Sequence, residues 1–219
     1  MFSTTLRAGL RAASRSSVRT MSTLSVRAVP RYGAALAAAT AVTAFGLYQG
    51  APLLLEGKSL AGEKGKASER SFVMIKPDGV SRQLVGKIIT RFEERGYKLV
   101  AVKSLTPSPA LAKEHYIDLA SRPFYKGLVD YITSGTPVVA MVWEGKDVIR
   151  QGRRIVGATN PQESDPGSVR GQYAVSVGRN LIHASDSFDS ASKEIELWFA
   201  ESELAEYKPT TWDWVMADN

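Results

Sequence analysis

Six consecutive apolar residues, Val138-Val139-Ala140-Met141-Val142-Trp143, stand between Pro137 and Glu144-Gly145. A run of this length with no polar alternation reads as a strand covered on both faces, hence as the centre of a sheet. Upstream, Phe72-Val73-Met74-Ile75 is a second apolar run, stopped by the turn formers of Lys76-Pro77-Asp78-Gly79. Val85, Ile88, Ile89 and Phe92 recur at helical spacing, and Gly96 closes that helix. Residues 97–105 read as a strand. Ser108-Pro109 then supplies an N-cap and a proline at the first helical position, opening a helix to about residue 120. Phe124, Leu128 and Ile132 lie four apart on a helix reaching Gly135, and residues 147–156 form another.

Residues 159–172 hold Gly, Pro, Asn, Asp and Ser without periodicity and read as a long loop, a feature that in compact domains usually serves function. Tyr173-Ala174-Val175-Ser176-Val177 alternates as a strand, 180–187 reads as polar and irregular, and Ala191, Ile195 and Trp198 mark a last amphipathic helix. This succession predicts an α/β chain of α+β sandwich type, a ferredoxin-like antiparallel sheet covered by helices. The folded domain is expected over residues 70–219.

What precedes it differs in composition. The chain carries 28 Lys+Arg against 22 Asp+Glu, but Arg7, Arg11, Arg15, Arg19, Arg27 and Arg31 fall in a stretch with no acid before Glu56. The excess charge of +6 therefore belongs to the leader, and the remainder is neutral. Arg at every fourth position from 7 to 19, among Ser and Ala, has the texture of a mitochondrial presequence, expected over residues 1–31. Residues 32–55 are uncharged and long enough to cross a ~30 Å hydrocarbon core, though rich in Ala and Gly. They are expected to be a sorting or marginal transmembrane segment, which makes the intermembrane space or inner membrane as good a destination as the matrix. Residues 56–69 read as a flexible linker.

The chain has no Cys and two His, so thiol chemistry is excluded and the search for a nucleophile is short. His115 falls inside a predicted helix and reads as structural. His183, in Asn180-Leu181-Ile182-His183-Ala184-Ser185-Asp186, stands among polar side chains. Phosphoryl transfer to an imidazole requires one free ring nitrogen, with the other held by an acceptor. Glu194, in the following helix, is a candidate acceptor, with Ser185 to orient it. Phosphate charge also needs fixed donors, and Lys76, Arg122, Arg153 and Arg170 sit at element ends or in loops. No Walker-type phosphate loop, dinucleotide turn or zinc-ligand cluster is present.

These blocks resemble nucleoside diphosphate kinases. Residues 180–186 are similar to that family's active-site signature Asn-x-x-His-Gly/Ala-Ser-Asp. The likeness extends through Ile75-Lys76-Pro77-Asp78-Gly79-Val80, His115-Tyr116, Arg122-Pro123-Phe124, the run from Val138 to Gly145, Gly157-Ala158-Thr159-Asn160-Pro161, Arg170-Gly171 and Lys193-Glu194-Ile195. With the leader, it points to the family's mitochondrial members. The resemblance implies ping-pong transfer of the γ-phosphoryl group from ATP or another triphosphate to diphosphates through a phosphohistidine at His183, supported by Glu194 and Ser185. It assigns Tyr116 and Lys76 to the phosphoryl region, and Lys76 and Asn180 to the sugar hydroxyls. Arg122, Arg153, Thr159 and Arg170 go to the diphosphate. Phe124 and Val177 go to the two faces of the base. Mg²⁺ is expected on the nucleotide phosphates, with no protein-built metal site. Ala184 stands where Gly is usual, and Thr136 is one residue extra before Pro137.

The family's eukaryotic members imply a homohexamer, with 159–172 packed near its threefold axis and the tail from Tyr207 folded onto the same or a neighbouring subunit. Association with the mitochondrial membrane through the leader motivates an alternative reading, a nucleotide-binding membrane-bridging protein with secondary kinase activity. No nucleic-acid role is expected, because the aromatic strand motif of RNA-binding sheets is missing.

Overall fold

The computed structural model describes residues 59–217; the expected presequence and the apolar segment 32–55 lie outside the described residues. Four strands form one antiparallel sheet in the order β2-β3-β1-β4, where β1 is Arg70–Ile75, β2 Lys98–Leu105, β3 Val138–Glu144 and β4 Ile182–Ala184. This is the expected ferredoxin-like arrangement. Every residue of β1 and β3 is buried, as the apolar runs require of the two inner strands.

Helices α1 (Pro77–Ser81), α2 (Val85–Glu94), α3 (Pro109–His115), α4 (Tyr125–Ile132), α5 (Val148–Val156), α6 (Val169–Tyr173), α7 (Phe188–Trp198) and α8 (Trp212–Val215) complete the domain. α2 buries Ile88 and Phe92, and the Phe92 ring stacks on Trp143 of β3 at 5.1 Å between centroids. Gly96 ends α2 at φ +92, and a Cβ there would meet Val215 of the C-terminal tail at 2.5 Å. Glycine thus serves both the left-handed turn and the docking of the tail. Ser108 caps α3 as expected, its Oγ accepting from the N–H of Leu111 at 3.1 Å. That helix stops at His115, and the rest of the expected length is a 3-10 turn over Ile117–Leu119.

Three segments depart from the sequence reading. Pro77-Asp78-Gly79, read as a turn, opens the single-turn helix α1, because Pro77 occupies its first position. The expected loop 159–172 carries a 3-10 turn, Pro161–Glu163, and the start of α6, which Ser168 caps through the N–H of Gly171. The expected strand 173–177 is not one. Tyr173 ends α6, and Val175 and Val177 stand 80% and 53% exposed, so their alternation has no core to face. The fourth strand is instead Ile182–Ala184, inside the segment read as irregular, where His183 pairs with Met74 of β1.

Before β1, the stretch expected as linker is tied down over its described part. Ala61 is fully buried, Ser59 Oγ lies 2.5 Å from Ser192 Oγ on α7, and Arg70 N–H donates to the carbonyl of Ala61 at 2.8 Å. At the β1–β2–β3 end, Glu144 is buried between Arg70 (2.7 Å) and Lys98 (2.5 Å), with Glu206 also bound to Arg70. Among the described residues, no helix is long and apolar enough to cross a membrane.

Candidate active site

β4 puts His183 on the outer strand of the sheet, and α7 returns across β1 to bring Glu194 beside it. His183 Nε2 lies 2.7 Å from Glu194 Oε1. Ser185 Oγ donates to Glu194 Oε2 at 2.5 Å and accepts from the N–H of Phe72 at 3.2 Å, so the carboxylate is itself fixed from the sheet. A carboxylate can only accept, so Nε2 carries a proton, and in the neutral imidazole Nδ1 is the nitrogen with the lone pair. The His183 side chain remains 25% exposed.

The second histidine is not peripheral. The His115 ring stands edge-on to that of His183, centroids 4.8 Å apart, and Trp198 Nε1–H donates to its Nδ1 at 3.2 Å. Burial, then the neighbouring His183 and Lys76, push its pKa down to about 2, so it is neutral with the proton on Nε2. That nitrogen and the hydroxyl of adjacent Tyr116 are buried without a hydrogen-bond partner among the described residues. Burial likewise raises the Tyr116 phenol, keeping it a neutral donor. His115, His183 and Glu194 are close enough to hold a metal ion. However, the Trp198 hydrogen bond leaves His115 Nε2 protonated, and Glu194 is already spent on His183 and Ser185. His115 keeps the structural character expected of it, and its packing against His183 depends on the fold, which carries the end of α3 to β4.

Positive charge gathers on the same side. Lys76, the N-cap of α1, donates from Nζ to Asn180 Oδ1 at 2.8 Å. Burial, reinforced by Arg170, lowers its pKa to about 8 despite the nearby Asp78. Asn180 Nδ2 in turn donates to the carbonyl of Thr159 at 2.9 Å, joining three of the expected nucleotide residues in one chain. Arg153 of α5 reaches the carbonyl of Ala184, next to His183, at 3.4 Å. Arg170 is 4% exposed, and its guanidinium donates to the carbonyls of Asn180 (3.2 Å), Gly157 (3.0 Å) and Ile182 (2.6 Å). Burial first, then Arg153, lower its pKa to about 10. Before it meets any ligand, Arg170 therefore braces the strand that bears His183.

Arg122 and Phe124 lie on the exposed connection into α4, with Phe124 58% exposed, and Val177 is exposed beyond α6. Large apolar side chains left in solvent mark a surface that gains by being covered. The carboxylates nearest His183 and Lys76 in sequence are engaged, Asp78 by Tyr131 and Leu181 and Asp186 by Ser190.

The family model described as "NDK: Nucleoside diphosphate kinase" matches residues 69–204. The chain is 59% identical over 148 residues to nucleoside diphosphate kinase B of Bos taurus, covering 68% of this chain and 97% of that protein. It is 55% identical over 149 residues to nucleoside diphosphate kinase of Aspergillus fumigatus, with coverage of 68% and 97%. Among solved structures, a halophilic nucleoside diphosphate kinase from Halobacterium salinarum in complex with CDP superposes with a TM-score of 0.65 at 47% identity, over 68% of this chain and 98% of that one. A family protein from Babesia bovis gives a TM-score of 0.65 at 41% identity, over 67% and 99%. With a family model covering most of the chain and relatives sharing more than half its aligned residues, the chain belongs to the nucleoside diphosphate kinase family.

Proposed function

We propose that the γ-phosphoryl group of a nucleoside triphosphate, mainly ATP, rests on Nδ1 of His183 on its way to a nucleoside diphosphate. Transfer between nucleoside tri- and diphosphates is the activity of the family to which the chain belongs. The observation that carries the residue assignment is the 2.7 Å contact of His183 Nε2 with Glu194, which leaves Nδ1 as the free nucleophile.

In the first half-reaction the Nδ1 lone pair attacks phosphorus. An N–P bond forms, the P–O bond to the β-phosphate breaks, and its electron pair leaves with the diphosphate. The imidazole, now substituted at Nδ1 and protonated at Nε2, gains positive charge that the Glu194 carboxylate stabilises. A second diphosphate reverses these steps with its terminal oxygen as nucleophile. Tyr116 and Lys76 supply donors to the transferring oxygens, and Arg122, Arg153, Thr159 and Arg170 hold the diphosphate. Lys76 and Asn180, already bonded to each other, meet the sugar hydroxyls. Phe124 and Val177 cover the faces of the base, a contact that any base can satisfy.

Mg²⁺ fits this site as a companion of the nucleotide, because the nearby carboxylates are committed to protein partners while the free donors are basic. When carried in with the nucleotide, the ion would add neutralisation of phosphate charge to what these basic side chains supply. The likeness to the family's eukaryotic members supports assembly into a homohexamer, and Val102 of β2, 51% exposed, is an apolar side chain that such a contact could cover. The acid-free, Arg-rich leader supports mitochondrial import, with the inner membrane or intermembrane space, reached through 32–55, as good a destination as the matrix.

Incubation with γ-labelled ATP tests the assignment. The wild type is expected to form an acid-labile phosphoenzyme that His183→Ala cannot form while remaining folded. Label on another residue, or full transfer activity in His183→Ala, overturns it. Protease protection of mitochondria before and after outer-membrane rupture tests the destination, and light scattering tests the hexamer.

A further inference from the structure

The backbone strain in this site lies two residues before the nucleophile. Leu181 is fully buried and adopts φ +71, and the N–H of Ile182 turns back to the carbonyl of Asn180 at 2.8 Å. This is a three-residue turn of the strained, positive-φ kind, which L-residues with a side chain rarely occupy and which persists only where its surroundings over-determine it. Arg170 holds the flanking carbonyls of Asn180 and Ile182. The Leu181 carbonyl accepts from the N–H of Lys76 at 2.8 Å, and the Leu181 N–H donates to Asp78 Oδ2 at 3.1 Å.

Asp78 is itself gripped twice by one side chain. The Tyr131 hydroxyl donates to Asp78 Oδ1 at 2.5 Å and accepts from the Asp78 N–H at 3.1 Å, while Arg179 covers the Tyr131 ring 4.1 Å from its centroid. Gly79 lets α1 come this close: a Cβ there would lie 3.0 Å from the Leu181 oxygen and 2.6 Å from Ile75 Cγ2.

We propose that Asp78 and Tyr131 are positioning residues for the transfer reaction, clamping the Leu181 peptide in its strained turn and thereby setting Asn180 and His183 relative to Lys76. Neither side chain reaches the reacting atoms. The carboxylate supplies the acceptor that the Leu181 N–H needs in this conformation, and the phenol keeps that carboxylate from rotating away. The inference rests on the reading of His183 as nucleophile.

The test measures single-turnover phosphorylation of His183 by ATP in soluble Tyr131→Phe, Asp78→Ala and Asp78→Ala/Leu181→Gly proteins, with thermal unfolding in parallel. Displacements of about an ångström at a reacting centre cost on the order of a hundredfold. Tyr131→Phe and Asp78→Ala are therefore expected to slow phosphorylation by about ten- to a hundredfold, with little change in the KM for nucleotide. Glycine adopts positive φ freely, so Leu181→Gly should restore much of the rate lost in Asp78→Ala. A purely structural role would lower the melting temperature without slowing the folded enzyme and would show no such rescue. Wild-type phosphorylation in either single variant, or an unrescued double variant, overturns the proposal. Should Asp78→Ala fail to fold, Tyr131→Phe decides between the same outcomes. Failure of the His183 reading is distinct, because His183→Ala would then form the phosphoenzyme.

Discussion

Ser185 and Glu194 hydrogen-bond at 2.5 Å, which fixes the carboxylate from the sheet side while its other oxygen holds His183 at 2.7 Å. The orientation of the imidazole thus depends on a relay that starts at the backbone of Phe72. Glu194→Gln keeps the shape but lets the amide rotate and offer N–H, allowing the wrong tautomer. It should lower the phosphorylation rate by at least about 10- to 100-fold, the range seen when a metal-bound imidazole loses its hydrogen-bonded partner. Rapid-quench measurement of the phosphoenzyme reads this directly. Ser185→Ala should follow in the same direction with a smaller loss.

Lys76 predicts a pH effect. Its pKa is lowered to about 8, chiefly by burial, so the free enzyme loses this charge as pH rises through that value. A bound polyphosphate favours the ammonium and raises the pKa again. Nucleotide binding should therefore take up a proton above pH ~8, and affinity should fall as pH rises further. Calorimetry in two buffers of different ionisation enthalpy checks the uptake, and Lys76→Ala should abolish it.

Buried Glu144 is shared by Arg70 and Lys98. Glu144→Ala leaves both cations with less compensation in a site that admits little water, although Glu206 still reaches Arg70. Removing one partner from such a pair costs about 3–5 kcal/mol, and chemical denaturation should show a loss of that size. His183 lies away from this end of the sheet, so phosphorylation by the folded fraction should be unchanged.

Arg170 binds three carbonyls from within the protein, and Arg170→Lys cannot reach all of them. The Asn180 carbonyl keeps the N–H of Ile182, but each buried carbonyl left unpaired costs about 1–3 kcal/mol. Arg170→Lys should therefore lower stability as well as nucleotide affinity, whereas Arg122→Lys, at an exposed position, should lower affinity alone. Equal melting temperatures for the two variants would contradict this.

How much of this could be read in advance follows from which interactions are local. β3, the face of α2, and the Ser108 and Gly96 signals depend on neighbouring residues, and each matches its spacing or its cap. Glu194 could be found because it follows His183 within one strand-to-helix connection. The fourth strand could not. Three residues between Leu181 and Ser185 are too short to show a period, while the exposed valines 175 and 177 imitate one. His115 and the Asp78–Tyr131 pair were hidden for another reason: their partners lie far along the chain, and only strand order brings them together.

The packing of residues 59–69 bears on where the chain could be cut without loss. Ala61 has no exposed surface and Ser59 touches the helix that carries Glu194, so these residues work as part of the enzyme rather than as a tether. A cut in the chain before Ser59 would spare these contacts. One as far in as Arg70 would remove the buried Ala61 and the Ser59 contact with α7, and would leave the end of β1 without its Ala61 acceptor.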